Sequence, residues 1–421
     1  MIDVRLLRED PDGVAAALAR RGVGDDVVEE IIELDRLRRV VVSEVEGLRA
    51  EQNARSRAIG HAPPERRSEL IAAAAELKEP LRRAEEELEA VSSKLAETLA
   101  QIPNLPDPVA PDGGEEDSVE LRLSGTRPAF DFPPRDHVQL LESAGALDLA
   151  RAAKVSGARF YFLRQEGALL ELALVRYALD IAQRHGHIPV IPPVLVRQDA
   201  LFGTGFFPTD EQQIFATRDD DLYLVGTSEV SLASMHADEI LPELPLRYAG
   251  FSTCFRREAG SYGKDTRGIF RVHQFDKVEL FSFVERDASR EEHERILAIE
   301  EDLMQGLELH YRVVDIAVGD LGASAARKFD VEAWLPGQEM YRELTSCSNT
   351  TDYQARRLRT RYRRSDGSTQ LVHTLNGTAL AVPRTIIALV ETHQRADGSV
   401  AVPERLRPYM GCEELLVTES G

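Results

Sequence analysis

The chain has 421 residues, of which 43% are hydrophobic and 29% charged, so it is long enough for two or three domains with ordinary cores. No apolar run reaches the ~18 residues of a membrane span, and Met1–Asp3 does not begin as a signal peptide does. We therefore expect a cytoplasmic protein with no membrane partner. The three cysteines, Cys254, Cys347 and Cys412, are odd in number and widely spaced, which argues against a disulfide framework. The net charge of −21 leaves the partner open, because nucleic acids respond to local basic patches rather than to totals.

The first hundred residues are predicted to be mainly helical. Residues 1–22 indicate a strand followed by a helix, and a long helix should run from Asp25 to about Gly60. After a short turn that contains proline, residues 70–102 keep the four-three spacing of a heptad seam. Two such helices predict an antiparallel coiled-coil hairpin over about 26–102.

Two features modify this predicted arm. Pro80 lies inside the second helix, where it removes one backbone hydrogen bond and should bend the helix near Glu76. Arginines concentrate in the distal third of the arm, at Arg49, Arg55, Arg57, Arg66 and Arg67. Such a patch could bind a nucleic-acid backbone, or it could be a solvated coiled-coil surface with ion pairs one helical turn apart.

Residues 103–117 form the clearest boundary, because they are rich in proline and glycine, acidic and without periodicity. We predict a domain over 1–102, a linker over 103–117 and a second domain over 118–421. The elements expected in the second domain are a helix at Leu169–Arg184, a strand at Leu222–Val225, a helix at about 289–309, strands at Trp334-Leu335, Arg342–Thr345 and Leu371–Leu375, and a helix at Thr378–His393. Strands in hairpin-like succession favour an α+β fold, with a mostly antiparallel sheet flanked by helices.

The stretch Phe251–Phe283 is the most suggestive part of the second domain. It reads as a long hairpin whose strands flank a glycine-rich loop over 260–268, with Arg256 before the loop. The return strand, expected to resume at Ile269, carries Phe275 and Glu279 at positions of equal parity. Cations beside an aromatic ring and a carboxylate suit a substrate with a phosphate and a base, although a solvated hairpin with surface arginines fits the same pattern.

Several signatures of other sites are absent from the sequence. Gly260–Lys264 lacks the glycine spacing of a P-loop, and no Rossmann glycine fingerprint follows a strand. His185, His187 and the scattered cysteines do not have zinc-site spacing, so no zinc is expected. A nucleotide would therefore be bound on a sheet by arginines.

Three further segments carry polar chemistry. Gly226–Glu229 places a hydroxyl and an acid at the end of a strand, and Glu343–Asn349 offers oxygen ligands suited to Mg²⁺. Leu375–Arg384 puts an arginine at the start of a buried helix, where the helix dipole favours anions. Each segment alone is weak, because clusters of serine and threonine usually form turns and caps.

In this order, the segments resemble the bacterial seryl-tRNA synthetases, a family of class II aminoacyl-tRNA synthetases. The resemblance extends over essentially the whole chain. Its motifs are the N-terminal arm, Gly186…Pro193 as motif 1, Thr227-x-Glu229, Phe255-Arg256-x-Glu258 as motif 2, His273-Gln274-Phe275-x-Lys277-x-Glu279, Ser346–Asn349 with Gln354–Arg357, and Asn376…Arg384 as motif 3.

The resemblance implies an ATP site with Mg²⁺. Arg256 is expected to hold the α-phosphate and the serine carboxylate, with Glu258 on the adenine side. Phe275 should stack on adenine beside the Val272 backbone. The remaining implied ATP contacts are Arg271 and Arg384 on the β- and γ-phosphates, Glu343 and Ser346 on Mg²⁺, and the neighbouring Leu344 and Thr345.

The resemblance also implies the other substrate and the partners. L-serine is expected to bind Arg256 and a pocket formed by Thr227, Glu229, Glu279 and Thr378. The serine carboxylate attacks the α-phosphorus, and the resulting seryl-adenylate acylates the 3′ end of tRNA-Ser, and of tRNA-Sec as well. The arm, through Arg49, Arg55 and Arg57, and the loop tip, through Ser261 and Lys264, are expected to contact tRNA. Motif 1 implies a homodimer.

Two alternatives remain open from the sequence. One is a related ligase that activates a small amino acid but transfers it to an acceptor other than tRNA. The other is a tRNA-binding regulator without catalysis, against which the intact Arg256, Glu258, Glu279, Glu343 and Arg384 argue.

Overall fold

The computed structural model describes residues 1–260, 263, 265 and 267–416, and its internal contacts divide the chain into two units. The first unit is Ile2–Leu105, and the second begins at Pro106 and also includes Met1. Among the described residues, we find no helix with the length and apolar character that crossing a bilayer requires.

The first unit is entirely helical in its described secondary structure. Its helices are α1 (Val4–Glu9), α2 (Pro11–Ala19), α3 (Asp25–His61), α4 (Pro64–Ala75) and α5 (Lys78–Gln101). The predicted strand near the N-terminus is wrong. Asp3 caps α1 by accepting a hydrogen bond from the Arg5 amide, and Asp10 caps α2 directly before Pro11, so both segments begin as helices.

Helix α3 folds back on α4 and α5 as the predicted coiled-coil hairpin. Glu30 pairs with Lys94 and Arg49 with Glu85, so the partner number falls as the residue number rises, as in an antiparallel pair. Val41, Val45, Leu81 and Ala84 form one buried apolar cluster of the seam. The second helix is interrupted between Ala75 and Lys78, just before Pro80 and at the place where the bend is predicted.

The second unit combines helices with a large sheet. Its helices are α6 (His137–Ser143), α7 (Leu149–Ser156), α8 (Gln165–Arg184), α9 (Gln198–Thr204), α10 (Glu229–Ser234), α11 (Ser289–Gly306), α12 (Tyr353–Leu358), α13 (Val382–Thr392) and α14 (Arg407–Met410). Its strands are β1 (Val119–Ser124), β2 (Leu147–Asp148), β3 (Phe162–Leu163), β4 (Ile188–Val190), β5 (Leu195–Val196), β6 (Phe215–Ala216), β7 (Tyr223–Leu224), β8 (Ile240–Leu241), β9 (Leu246–Phe255), β10 (Gln274–Val284), β11 (Tyr311–Asp315), β12 (Arg327–Leu335), β13 (Met340–Thr351), β14 (Arg361–Arg363), β15 (Thr369–Leu371), β16 (His373–Ala381), β17 (Val400–Ala401) and β18 (Glu414–Leu415).

The principal sheet has eight strands in the order β1-β11-β12-β13-β16-β10-β9-β4. Its neighbours are antiparallel except for β4 and β9, so the prediction of an α+β fold with a mostly antiparallel sheet is confirmed. Helices α8, α11 and α13 pack their buried apolar faces on the sheet and build the main core. The strands β13, β16 and β10 at the centre of the sheet are thereby packed against this core.

Two predicted boundaries in the second unit are corrected. Residues 269–273 do not pair as a strand, because Phe270 instead lies under the guanidinium groups of Arg342 and Arg384. Residues 378–381 are the end of β16 rather than the start of a helix, since they pair with β10. Helix α13 begins only at Val382, with Pro383 in its first turn.

The predicted linker over 103–117 is also corrected. Leu105 is the last residue of the first unit, and the following residues belong to the second. Ala110 is buried with Val314 and Ile316 of the strand region, and the Asp107 amide donates to the Ala326 carbonyl at 2.8 Å. The composition is that of a loop, but most of this segment packs on the second unit as part of it.

Candidate active site

A pocket opens on the sheet where β10, β13 and β16 meet the first turn of α13. It is lined by almost every residue predicted for ATP and serine: Thr227, Glu229, Arg256, Glu258, Arg271, Val272, Phe275, Glu279, Glu343, Leu344, Ser346, Thr378 and Arg384. Six further residues line it that had been given no role: Phe206, Phe270, Lys277, Asn376, Ala381 and Pro383. Residues far apart in sequence meet here because the three strands are neighbours in the sheet.

Arg256 lies just beyond the end of β9, on one wall of the pocket. Its Nε donates to the Gly226 carbonyl at 3.2 Å, and its guanidinium carbon lies 5.3 Å from the centre of the Phe275 ring. Phe275 faces Cys254 in the paired strand, so β9 and β10 together hold the ring beside the cation. One edge of the pocket thus offers an aromatic face and a guanidinium to the same ligand.

The turn after Arg256 is fixed by a residue that the sequence did not single out. Glu258 has φ of 51°, in the left-handed region that costs a non-glycine residue energy. Gln213 holds this turn on both sides: its carbonyl accepts from the Arg257 amide at 2.9 Å, and its side-chain amide both donates to and accepts from the Ala259 backbone at 3.0 Å. Glu258 then accepts from Arg271 Nη1 at 2.7 Å.

Arg384 and Glu343 form the opposite wall. Arg384 Nη1 donates to the Glu343 carbonyl at 2.9 Å and lies 3.2 Å from its carboxylate, while the guanidinium stacks over Phe270. The surrounding protein alone would raise the pKa of Glu343, but Arg384 and Lys328 outweigh this effect and lower it to about 2. Arg384 also stands in the first turn of α13, so charge and helix dipole both favour an anion.

A β-bulge decides which side chains of β13 face the pocket. Glu332 pairs with Glu343 and Val331 with Thr345, so Leu344 is an extra residue in the ladder. Glu343 and Ser346 therefore both line the pocket, and their carboxylate and hydroxyl oxygens are donors that suit Mg²⁺. Thr345 does not line the pocket, and its buried hydroxyl donates to Glu300 at 3.0 Å, so its predicted ATP contact would have to come from the backbone and stays a prediction.

The deepest part of the pocket contains a buried ion pair. Lys277 and Glu279 contact each other on β10, with side chains 5% and 3% exposed. Lys277 Nζ also donates to Thr227 Oγ1 at 2.7 Å, and Thr378 Oγ1 donates to Glu279 at 3.4 Å. A second bulge, in which Ala379 is the extra residue, brings Thr378 opposite Glu279.

Glu229 completes this end of the pocket. It is the first residue of α10, and its Oε1 accepts from Gln354 Nε2 at 2.7 Å and from Asn376 Nδ2 at 2.8 Å. Burial and the neighbouring charge of Glu279 raise the pKa of Glu229 to about 7, although the two amides and Lys277 act in the opposite direction.

Of the residues predicted to contact tRNA, the three on the arm do not line this pocket. Arg49, Arg55 and Arg57 lie on α3, where Arg49 pairs with Glu85 and Arg55 with Glu51. Ser261 and Lys264 lie outside the described residues. In the part of the chain that the structure describes, we find no cluster of three or more His, Cys, Asp or Glu side chains suited to a metal ion.

The comparisons with known proteins agree with this geometry. Residues 1–106 match the seryl-tRNA synthetase N-terminal domain, and residues 213–393 match the tRNA synthetase class II core domain (G, H, P, S and T). Serine–tRNA ligases of Nocardia farcinica and Acidothermus cellulolyticus are 53% and 54% identical, over 99% of both chains in each case.

Solved structures extend the similarity to the fold. The seryl-tRNA synthetase of Pyrococcus horikoshii, complexed with ATP, superposes with a TM-score of 0.93 at 43% identity and covers all of both chains. The cytoplasmic serine–tRNA ligase of Naegleria fowleri, in complex with AMP, has a TM-score of 0.88 at 32% identity over 98% of both chains.

The eight-stranded sheet and the arginine-walled pocket at its centre define the core of a class II aminoacyl-tRNA synthetase. The sequence identity to serine–tRNA ligases over almost the full length, together with the matched N-terminal domain, identifies one family within this class. The chain belongs to the seryl-tRNA synthetase family. The predicted resemblance is therefore confirmed, and so is the assignment as a ligase.

Proposed function

We propose that the protein activates L-serine with ATP and transfers the serine to the 3′ end of tRNA-Ser. The observation that carries this proposal is the joining, in one pocket, of an arginine wall and a buried acidic end. Arg256 and Arg384 suit a triphosphate, whereas Glu229 and Glu279 suit the ammonium and hydroxyl groups of a small amino acid. A site of this composition holds both reactants of an adenylation at once.

Activation requires no covalent nucleophile from the protein. A carboxylate oxygen of serine attacks the α-phosphorus, the bond to the β-phosphate bridging oxygen breaks, and pyrophosphate leaves. Arg256 orients the two reacting groups and stabilises the charge that develops between them, while Arg271 and Arg384 hold the leaving phosphates. Phe275 stacks on adenine, with Glu258 and the Val272 backbone at its edge.

Mg²⁺ fits the wall formed by β13. Glu343 and Ser346 line the pocket with anionic and neutral oxygen donors, and the low pKa of Glu343 keeps its carboxylate ionised at neutral pH. The ion, when bound with ATP, would neutralise phosphate charge. Two protein ligands are few, but Mg²⁺ commonly takes its remaining ligands from phosphates and water.

The buried end selects serine. Thr227 and Glu229 would bind the ammonium group, and Glu279 and Thr378 the hydroxyl. Alanine has no hydroxyl and would leave these buried polar groups without hydrogen-bond partners. The free energy lost in this way makes the pocket reject alanine strongly. Threonine would be excluded by lack of room beside Thr378.

The tRNA is assigned to two regions. Arg49, Arg55 and Arg57 on helix α3 would contact its backbone, because guanidinium groups bind phosphates and can recognise the shape of an RNA without base contacts. Ser261 and Lys264 on the motif 2 loop would face the acceptor end. We extend the same proposal to tRNA-Sec, and we place the reaction in the cytoplasm.

A homodimer is proposed for the second unit. Helix α8 and the residue directly after strand β4 expose large apolar side chains, with Leu169 57%, Leu172 63% and Ile191 84% accessible. A second copy of the chain would cover such a surface. Ile191→Glu should therefore shift the sedimentation of the protein from dimer to monomer; an unchanged dimer would place the interface elsewhere.

Serine-dependent exchange of pyrophosphate into ATP tests the activation step. Arg256→Ala should lower the exchange rate at least a hundredfold, because one guanidinium contacts the charge that develops in the transition state. Arg257→Ala is the matched control, since Arg257 is exposed and does not line the pocket. Exchange retained in Arg256→Ala would contradict the assigned role, and no serine-dependent exchange in the wild type would contradict the function.

Charging of tRNA-Ser tests the second step. Deletion of residues 30–100 should leave exchange intact and abolish formation of seryl-tRNA, because the arm belongs to a separate unit. Efficient charging without the arm would contradict its role. A wild-type protein that forms adenylate but never charges tRNA would point to another acceptor.

A further inference from the structure

Beside the serine end of the pocket lies a buried amide that does not line the pocket itself. Gln354, in the short helix α12, is fully buried. Its Nε2 donates to Glu229 Oε1 at 2.7 Å and to the Thr204 carbonyl at 3.2 Å, and its Oε1 accepts from the Thr374 hydroxyl at 2.9 Å. The amide nitrogen has two acceptors and the amide oxygen has a donor, so exchanging the two atoms would break these bonds and the amide has one orientation.

Glu229 is held asymmetrically by this arrangement. The amides of Gln354 and Asn376 both bond to Oε1, whereas Oε2 accepts no hydrogen bond from the described residues. Glu229 is 93% buried and still lines the pocket, so its second oxygen is available to a ligand. A buried carboxylate that is only half satisfied by the protein is suited to receive a cation.

Helix α12 holds a second wall of the same pocket. Arg357, one turn after Gln354, donates to the carbonyls of Phe202 and Phe207 at 2.9 and 3.1 Å. Together with the bond from Gln354 to Thr204, these contacts fix the segment that carries Phe206 into the pocket. The helix therefore supports both Glu229 and the loop beside it.

We propose that Gln354 is a positioning residue for the amino-acid substrate, which fixes Glu229 so that its free oxygen receives the ammonium group. This inference rests on the proposed function, because it assumes that the ligand at Glu229 is an α-amino acid. Asn376 lines the pocket and can touch the substrate directly, whereas Gln354 does not line it and acts through Glu229 and, by its bond to Thr204, through the segment that carries Phe206. Loss of Gln354 should consequently affect serine and spare ATP.

The charges around Glu229 determine how this loss depends on pH. Glu279 and Lys277 face it from β10, Asn376 from β16 and Gln354 from α12. A carboxylate that loses an amide donor becomes easier to protonate, and the protonated form no longer attracts an ammonium group. Removal of the amide should therefore weaken serine binding most at low pH.

Gln354→Met tests the proposal, because methionine has a similar length and no donor. Thr374 keeps a partner in this variant, since its hydroxyl lies 2.6 Å from that of Thr350. At pH 7.5, KM for serine in the exchange assay should rise about tenfold, as expected for a lost hydrogen bond to a charged group. KM for ATP should stay within about twofold. KM for serine rises below a certain pH, and this pH should be higher in the variant by about one unit.

Gln370→Met is the matched control. Gln370 is an amide in β15 that accepts from the Tyr362 hydroxyl and does not line the pocket, so its replacement should change neither KM. If Gln354→Met does not fold, Gln354→Asn keeps an amide but withdraws it by one methylene group, and it should shift KM for serine in the same direction by a smaller factor. An unchanged KM and pH profile for serine in either folded variant would overturn the inference. Absence of serine-dependent exchange in the wild type would instead overturn the proposed function.

Discussion

The two ends of the pocket hold their charged groups in different ways. At the phosphate end, Arg384 faces Glu343 at 3.2 Å, and the two side chains are 19% and 40% exposed. At the serine end, the Lys277–Glu279 pair is almost fully buried, and Glu229 is held by neutral amides. Arginines partly open to solvent can be released to an incoming triphosphate, whereas the buried groups have no solvent to replace a lost partner.

The same contrast appears in the pKa values of the acids. Guanidinium and ammonium groups lower the pKa of Glu343 to about 2, against the effect of burial. Burial and Glu279 raise the pKa of Glu229 to about 7. The phosphate end is therefore fixed in its charge state near neutral pH, and the serine end is not.

Removal of Arg384 should have the largest effect. Arg384→Ala takes away a cation that would contact the leaving phosphates, so the exchange rate should fall about 10²- to 10³-fold. The effect should appear mainly in kcat and in KM for ATP, with KM for serine little changed. Arg395→Ala serves as control, because Arg395 pairs with Glu414 outside the pocket. A loss of less than about tenfold would remove Arg384 from the phosphate site.

Besides its place at the serine end, the buried pair of Lys277 and Glu279 should contribute strongly to stability. Glu279→Leu leaves Lys277 buried without its carboxylate, which should lower the free energy of unfolding by about 3 kcal/mol. Lys277→Met combined with Glu279→Leu removes both charges and should cost clearly less than the single change. Urea unfolding of the three proteins measures the difference. A double variant destabilised as much as Glu279→Leu, or more, would show that the loss does not come from the unpaired charge of Lys277.

The smallest effect expected is a difference in pH response. Glu229 must be ionised to bind an ammonium group, so serine binding is lost as pH falls through about 7. Between pH 8 and pH 6.5, KM for serine should rise about fourfold, while KM for ATP changes by less than about twofold. Steady-state exchange at several pH values measures both constants. A serine KM that stays flat over this range would contradict the raised pKa.

The Glu229 carboxyl group also makes the stability of the fold depend on pH, in the direction opposite to that of serine binding. Because the pKa of Glu229 is higher in the folded protein than its ordinary value of 4.5, the folded state holds the extra proton between these values. Its contribution to stability is complete below about pH 4.5 and is lost as pH rises through about 7. Binding and stability therefore respond in opposite directions to the titration of one carboxyl group.

Much of the pocket could be predicted from the sequence because its residues occur in compact motifs. Arg256, Thr227 and Arg384 lie in short segments whose order identified the family, and all three line the pocket. Gln213 could not be found in this way. It supports the turn at Glu258 by hydrogen bonds to the backbone from a short 3₁₀ helix about 45 residues earlier, and one of two adjacent glutamines in a polar segment gives no signal.

Strand alternation was a poor guide where the ladders are irregular. The bulge at Leu344 turns Thr345 away from the pocket, although a simple count from Glu343 would place the two on one face. Phe270 was expected in a strand, but its contacts with Arg342 and Arg384 keep it out of the ladder. The bulge and the position of Phe270 both depend on contacts with residues distant in sequence. The alternation of polar and apolar residues along a strand carries no information about such contacts.

The interruption of the arm before Pro80 also separates two parts of unequal stability. Helix α5 buries Leu81, Ala84 and Leu95, whereas α4 has no buried side chain, and α3 buries none after Val45. Amide hydrogens should therefore exchange with solvent first in α4 and the facing part of α3, and last near the base of the hairpin. An arm graded in this way can adapt its end to the contour of a ligand while the helices nearer the base stay paired.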